Sequence, residues 1–211
     1  MSTPPILLKP SFFDRDPRRV ARALLGKLLI RKSPTGILAG RIVETEAYLG
    51  EDDLAAHAAS GKTARNSVLF GPPGFAYVYF IYGNHYCLNV SCLPDGVPGG
   101  VLFRAMEPVT GIAQMAQARG IETPSPAQQN NHAWLRRISS GPGRMCEALG
   151  VTRERDNGKN FASARSDLQI ADDGHRTGKI LVTSRIGITK SADQPLRYVI
   201  AENPFVSVRH S

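Results

Sequence analysis

One stretch of this chain must be a strand, yet it carries two carboxylates on one face. From about Ile37 to Leu49 the residues are apolar and β-branched, with the turn Ser33-Pro34-Thr35-Gly36 before them and Gly50 after them. That pattern predicts a strand. Alternation places Ile42, Glu44, Glu46 and Tyr48 on one face. Carboxylates between an isoleucine and a tyrosine need partners, because an unpaired buried charge costs several kcal/mol, to order of magnitude.

A second segment, Tyr77 to Asn89, is dense in aromatics. Gly83-Asn84 makes a hairpin connection to a strand from Tyr86 to Cys92. Tyr77, Tyr79 and Ile81 line one face; Val78, Phe80 and Tyr82 line the other. Around these segments the pattern predicts further elements. Asp16-Pro17 caps a helix whose Val20, Ala21, Leu24 and Leu25 recur at helical spacing. Lys27 to Arg31 and Val101 to Met106 read as strands. Val109 to Arg119 reads as helical and Ile121 to Ala133 as an exposed loop. A helix from Arg144 to Leu149 follows, and Ile180–Val182 and Arg197–Ile200 are late strands. Residues 1–15 form a Pro-rich lead-in, and the polar residues 151–179 give no clear pattern. With no repeat and no linker, residues 1–211 read as one α+β domain with a mostly antiparallel sheet.

Hydrophobic residues make up 42% and charged residues 21%, so the chain belongs with globular rather than disordered proteins. The net charge of +8 is the footprint expected of a polyanion binder, the alternative being a basic surface that only aids solubility. Cys87, Cys92 and Cys146 include no CxxC pair, which argues against a disulfide framework or a zinc site. The absence of a signal peptide pattern and of a long apolar run points to a cytoplasmic protein without a membrane partner.

From the residues alone the chemistry has alternatives. Glu44 and Glu46, about 7 Å apart on the strand, could serve glycosyl hydrolysis with one as base toward water, or could both pair with arginines. Spacing does not say which would be catalytic. The tyrosines could stack on bases or fill a sheet core. His57 could be a capping group. Asn89 could be structural or could read a ligand edge. Arg104, among apolar neighbours, needs an anion, and Glu44 or Glu46 would serve.

Taken together, several motifs resemble the alkyladenine (3-methyladenine, methylpurine) DNA glycosylase family: Arg41 to Gly50, Ala55-Ala56-His57, Thr63-Ala64-Arg65-Asn66, Tyr77 to Gly83, Arg104 to Pro108, Gly141-Pro142 with Cys146 to Leu149, Arg185-Ile186-Gly187, and Pro195 to Tyr198. They keep their order from about Phe12 to Val208. The resemblance implies a curved antiparallel sheet in one mixed domain, no metal and no cofactor. It also implies a monomer that flips a damaged purine out of double-stranded DNA and hydrolyses its N-glycosidic bond. By the same resemblance Glu46 is the base that activates water. Arg104 and the backbone carbonyl of Ile186 help hold that water. Tyr48, His57 and Tyr79 sandwich the flipped base, Asn89 disfavours a 2-amino purine, and Tyr82 fills the gap left in the stack. Two other readings are a non-catalytic damaged-DNA binder on the same fold and a carbohydrate-directed glycosidase.

Overall fold

The computed structural model describes residues 4–81, 83–122, 125, 128 and 130–208. Its centre is β3 (Gly36–Tyr48), 13 residues long. One edge of β3 pairs with β6 (Gly100–Thr110). The other edge is shared. Its first half pairs with β2 (Leu28–Ser33), and Glu44 to Glu46 pair with β9 (Arg197–Ile200). Beyond β6 lie β5 (His85–Ser91) and β4 (Ala76–Ile81), joined as the expected hairpin. Beyond β2 lie β7 (Leu168–Asp172) and β1 (Ile6–Leu7), and β8 (Ile180–Thr183) pairs with β9. All these pairings are antiparallel and the sheet is not closed, so the fold is α+β.

Helix α2 (Pro17–Leu24) begins as the sequence predicts, with the Asp16 carboxylate accepting from the Arg18 amide at 2.8 Å and Pro17 in the first turn. Its Val20, Ala21 and Leu24 are fully buried in the core with Val43 and Ala47 of β3. The remaining helices are α1 (Pro10–Phe13), α3 (Ile112–Ala118), α4 (His132–Ser139), α5 (Pro142–Ala148) and α6 (Arg153–Asp156). No helix among the described residues is long and apolar enough to cross a membrane.

Several boundaries differ from the sequence reading. The predicted helix from Val109 starts later, because β6 runs on to Thr110 and Gly111, at φ 76°, turns the chain into α3. The loop expected to run to Ala133 gives way to α4 at His132, two residues earlier. There the Asn131 side chain caps the Trp134 amide at 3.1 Å, and Trp134, Leu135 and Ile138 are buried. Within the Pro-rich lead-in, Ile6 and Leu7 pair with β7 and Phe13 is wholly buried.

The polar stretch 151–179 is tied to the sheet by buried Val151, Phe161, Leu168 and Ile170, by the pairing of β7, and by charge. Arg31 of β2 is buried and meets Asp156 at 2.8 Å and Asp167 at 3.1 Å; Lys159 meets the same two carboxylates at 2.9 and 2.5 Å. For Asp167 burial opposes ionisation, but the hydrogen bond from Lys159 and the charge of Arg31 outweigh it and lower the pKa from 3.8 to about 2. The hydrogen bond from Arg41 lowers Asp173 to about 2 as well. Both folded values lie below the unfolded one. These groups therefore stabilise the fold above about pH 4 and lose that contribution as pH falls toward about 2. The urea midpoint is expected to hold steady near neutrality and to drop through that window. A midpoint that rises on acidification would contradict the assignment.

Candidate active site

The site forms where β3 and β6 depart from regular pairing. The register steps from Ile42 opposite Met106 to Glu44 opposite Ala105, then to Thr45 opposite Phe103. Val43 is thus the extra residue on one strand and Arg104 the extra residue on the other. Bulges re-aim side chains, and here the Arg104 guanidinium reaches both carboxylates: Nε to Glu44 Oε1 at 3.0 Å and Nη1 to Glu46 Oε1 at 3.2 Å. Ile42, expected on the carboxylate face, packs in the apolar core beside Val43. Thr45, one residue out of phase with the glutamates, donates from Oγ1 to the Ala21 carbonyl of α2 at 3.0 Å.

The two glutamates, equivalent in the sequence, have different surroundings. Glu44 accepts from Arg197 Nε at 2.7 Å, from the Ser207 amide at 2.6 Å and from Ser207 Oγ at 2.9 Å, besides Arg104. Burial alone would favour the neutral acid, but the charges of Arg104 and Arg197 reverse this and lower its pKa. It is a structural anion closed off by its partners. Glu46 accepts the Ile186 amide at 2.8 Å and the Arg104 contact on Oε1, and the Tyr48 hydroxyl at 3.0 Å on Oε2. A carboxylate offers about four lone-pair sites, so Oε2 keeps one for a further donor. Burial and the adjacent Glu46 charge raise the Tyr48 pKa and keep the phenol a donor.

Tyr48, Arg104 and Ile186 also line a cavity of about 330 Å³, within the range of small-molecule sites. Glu46 is fully buried directly behind them and is not itself a lining residue. The opposite parts of the wall come from β4, β5 and the loop after β3. Tyr77, Tyr79 and Ile81 all face the cavity, as alternation predicts, with Asn89 and Cys87 from β5 and His57 from the loop. The His57 ring meets Tyr79 edge-on, with centroids 4.4 Å apart, and its Nδ1 lies 2.8 Å from the Tyr77 hydroxyl. Burial and the nearby Arg65 charge lower the His57 pKa, so the ring is neutral at pH 7. His57 and Tyr79 touch, which leaves no room for a planar ligand between them. Asn89 donates to the Tyr77 carbonyl at 3.2 Å and turns its remaining polar capacity to the cavity.

The structure thus brings together Glu46, Arg104, Ile186, Tyr48, His57, Tyr79 and Asn89. The contact it records from Ile186 to Glu46 is made by the amide N–H rather than the carbonyl. Tyr82 lies outside the described residues. Among those described, no group of three or more His, Cys, Asp or Glu could hold a metal ion. Sequence reasoning missed four supporting residues. Asn66 is buried and braces the loop by donating to the carbonyls of His57 and Gly61 at 2.8 and 3.0 Å. Arg197 completes the Glu44 cluster. Asp53 and Arg185 form a buried bidentate pair at 2.5 and 2.8 Å. Asn66, Arg185 and Arg197 lie in motifs that carry the family resemblance, but nothing in those motifs gives their bracing roles, and Asp53 is one acidic residue among several in a polar loop.

A family model described as methylpurine-DNA glycosylase matches residues 11–204. The chain belongs to the methylpurine-DNA glycosylase family. This is a family of DNA glycosylases for alkylated bases, and its substrate is DNA. A protein of Koribacter versatilis (strain Ellin345), provisionally named a 3-methyladenine DNA glycosylase, is 64% identical over 95% of this chain and 92% of its own length. Proteins with the same provisional name from Methanocella arvoryzae and Chlorobium phaeobacteroides are each 43% identical, over 96% and 93% of this chain and 96% and 94% of their own lengths. The family match spans every segment that contributes to the cavity wall.

Proposed function

We propose that this protein is a monofunctional DNA glycosylase that removes alkylated or deaminated purines from duplex DNA and leaves an abasic site. The observation that carries the reading is the environment of Glu46: a buried carboxylate held by Arg104, Tyr48 and the Ile186 amide, directly behind an aromatic-walled cavity.

The chemistry follows from the leaving group. Alkylation makes a purine electron-poor, so its bond to the sugar breaks early and leaves an oxocarbenium-like sugar. The protein must then supply a base for water and a negative field at the anomeric carbon. The free lone pair on Glu46 Oε2 accepts a proton from water, while the carboxylate charge stabilises the cationic sugar. Arg104 and the Ile186 amide fix the carboxylate against rotation. A flipped purine stacks between the Tyr48 ring and the His57–Tyr79 wall, with Asn89 against its edge. Extrusion costs a few kcal/mol, to order of magnitude. Tyr82 is assigned the role of filling the vacated space in the stack. The net charge of +8 supplies phosphate contacts. No lysine lines the cavity among the described residues, which supports water rather than an amine as nucleophile. One enzyme molecule suffices for one lesion, so it acts as a monomer where the chromosome lies.

The test is incubation with duplexes that each carry one modified purine, scored for free base and abasic sites. Free base, with no strand nick and no adduct on borohydride reduction, is the expected result. Binding without release from any duplex would overturn the enzymatic reading, and a trapped adduct would overturn the monofunctional one.

A further inference from the structure

We infer that the Asp53–Arg185 pair sets how strongly this site captures cationic as opposed to neutral purines, acting through the ring of Tyr48. The inference rests on the glycosylase reading above. Arg185 places its guanidinium carbon 4.6 Å from the centroid of the Tyr48 ring. Tyr48 lines the cavity, whereas the Arg185 side chain is fully buried and does not. The guanidinium therefore covers the ring face turned away from the ligand, and the base stacks on the other face.

A cation on one face of an aromatic ring draws its π density toward that face and weakens the pull on a second cation across the ring. The negative end of the pair is farther from the ring, because Asp53 grips the outer guanidinium nitrogens at 2.5 and 2.8 Å. The Arg185 position is not adjustable. Its Nη1 also donates to the Ala47 carbonyl at 3.0 Å, and Asp53 is held by the amides of Leu49 and Ala55, both at 3.1 Å. A second, weaker cation–ring contact involves exposed Arg65, whose guanidinium carbon lies 5.9 Å from the Tyr79 centroid. Purines methylated at N3 or N7 are cations in DNA, while deaminated or etheno-bridged ones are neutral. The site then holds back part of the cation–π attraction that bare tyrosines would give and keeps stacking for neutral lesions. During bond cleavage the positive charge moves to the sugar, so the effect falls on capture rather than on the chemical step.

The experiment compares dissociation constants for duplexes carrying 7-methylguanine or hypoxanthine, each relative to undamaged duplex, in a Glu46→Gln background so that the base stays attached. Adding Arg185→Gln is expected to raise the 7-methylguanine-to-hypoxanthine affinity ratio by about threefold or more, and Asp53→Asn, which leaves the cation uncompensated, to lower it by a similar factor. Arg185→Lys retains the charge and should leave the ratio near its starting value even if both affinities fall. A pair that merely braces the loop would weaken both duplexes in proportion. An unchanged ratio in the Gln and Asn variants would overturn the inference and leave the glycosylase reading intact. Failure of the wild-type enzyme to release any base would instead remove the reading beneath it. If either single variant does not fold, the double variant Asp53→Asn/Arg185→Gln, which strands no buried charge, carries the test and should raise the ratio as Arg185→Gln would.

Discussion

Glu46→Gln is expected to slow base release from a lesion-bearing duplex by about 10²- to 10⁴-fold, the span of a lost general base, while affinity for that duplex stays within a few-fold. The substitution is close to isosteric. Glutamine can still accept from the Ile186 amide, and the Tyr48 hydroxyl can turn to accept from the new amide. Arg104 keeps Glu44 as its counter-ion at 3.0 Å, so no buried cation is stranded. What disappears is the basic lone pair on Oε2 and the negative field beside the sugar. Single-turnover release, measured alongside an equilibrium binding curve, separates chemistry from capture. Release at the wild-type rate would remove Glu46 from the mechanism.

Glu44→Gln, two residues away, is expected to cost stability first. Glu44 is the shared anion of Arg104 and Arg197, both buried, and it also holds Ser207. Neutralising one member of such a cluster leaves buried charge uncompensated, at about 3–5 kcal/mol. The urea midpoint of this variant should fall accordingly, whereas that of Glu46→Gln should fall much less. Activity per folded molecule should drop only as far as Arg104 shifts. If Glu44→Gln were as stable as wild type but inactive, the roles of the two glutamates would be reversed.

Spacing could not make that distinction, and only the family resemblance singled out Glu46. Alternation along β3 correctly put both glutamates and Tyr48 on one face, but their fates are decided by Arg197, Ser207 and the Ile186 amide, 140 to 163 residues away. Elements with a local cause were legible: α2 from its Asp16-Pro17 start, the β4–β5 hairpin from Gly83-Asn84, and the cavity-facing Tyr77, Tyr79 and Ile81 from alternation. Strand β7 was not, because it lies in a polar stretch whose carboxylates only make sense once Arg31 is beside them. Helix α4 was hidden because its cap, Asn131, lies at the end of a Gln- and Asn-rich run that reads as loop. The family resemblance named the pocket residues. The Asp53–Arg185 pair, 132 residues apart, emerged only from the fold.

The edge of β3 shared between β2 and β9 also bears on how the protein is made. As the chain leaves the ribosome, β3 can meet β2 at once, but Glu44 waits for Arg197 and Ser207, and Glu46 waits for the Ile186 amide. A nascent chain halted before those residues leaves two buried carboxylates to share the one guanidinium of Arg104. Glu46 is therefore anchored only after Ile186 has emerged, and a shorter chain has the tyrosine wall without a fixed carboxylate behind it.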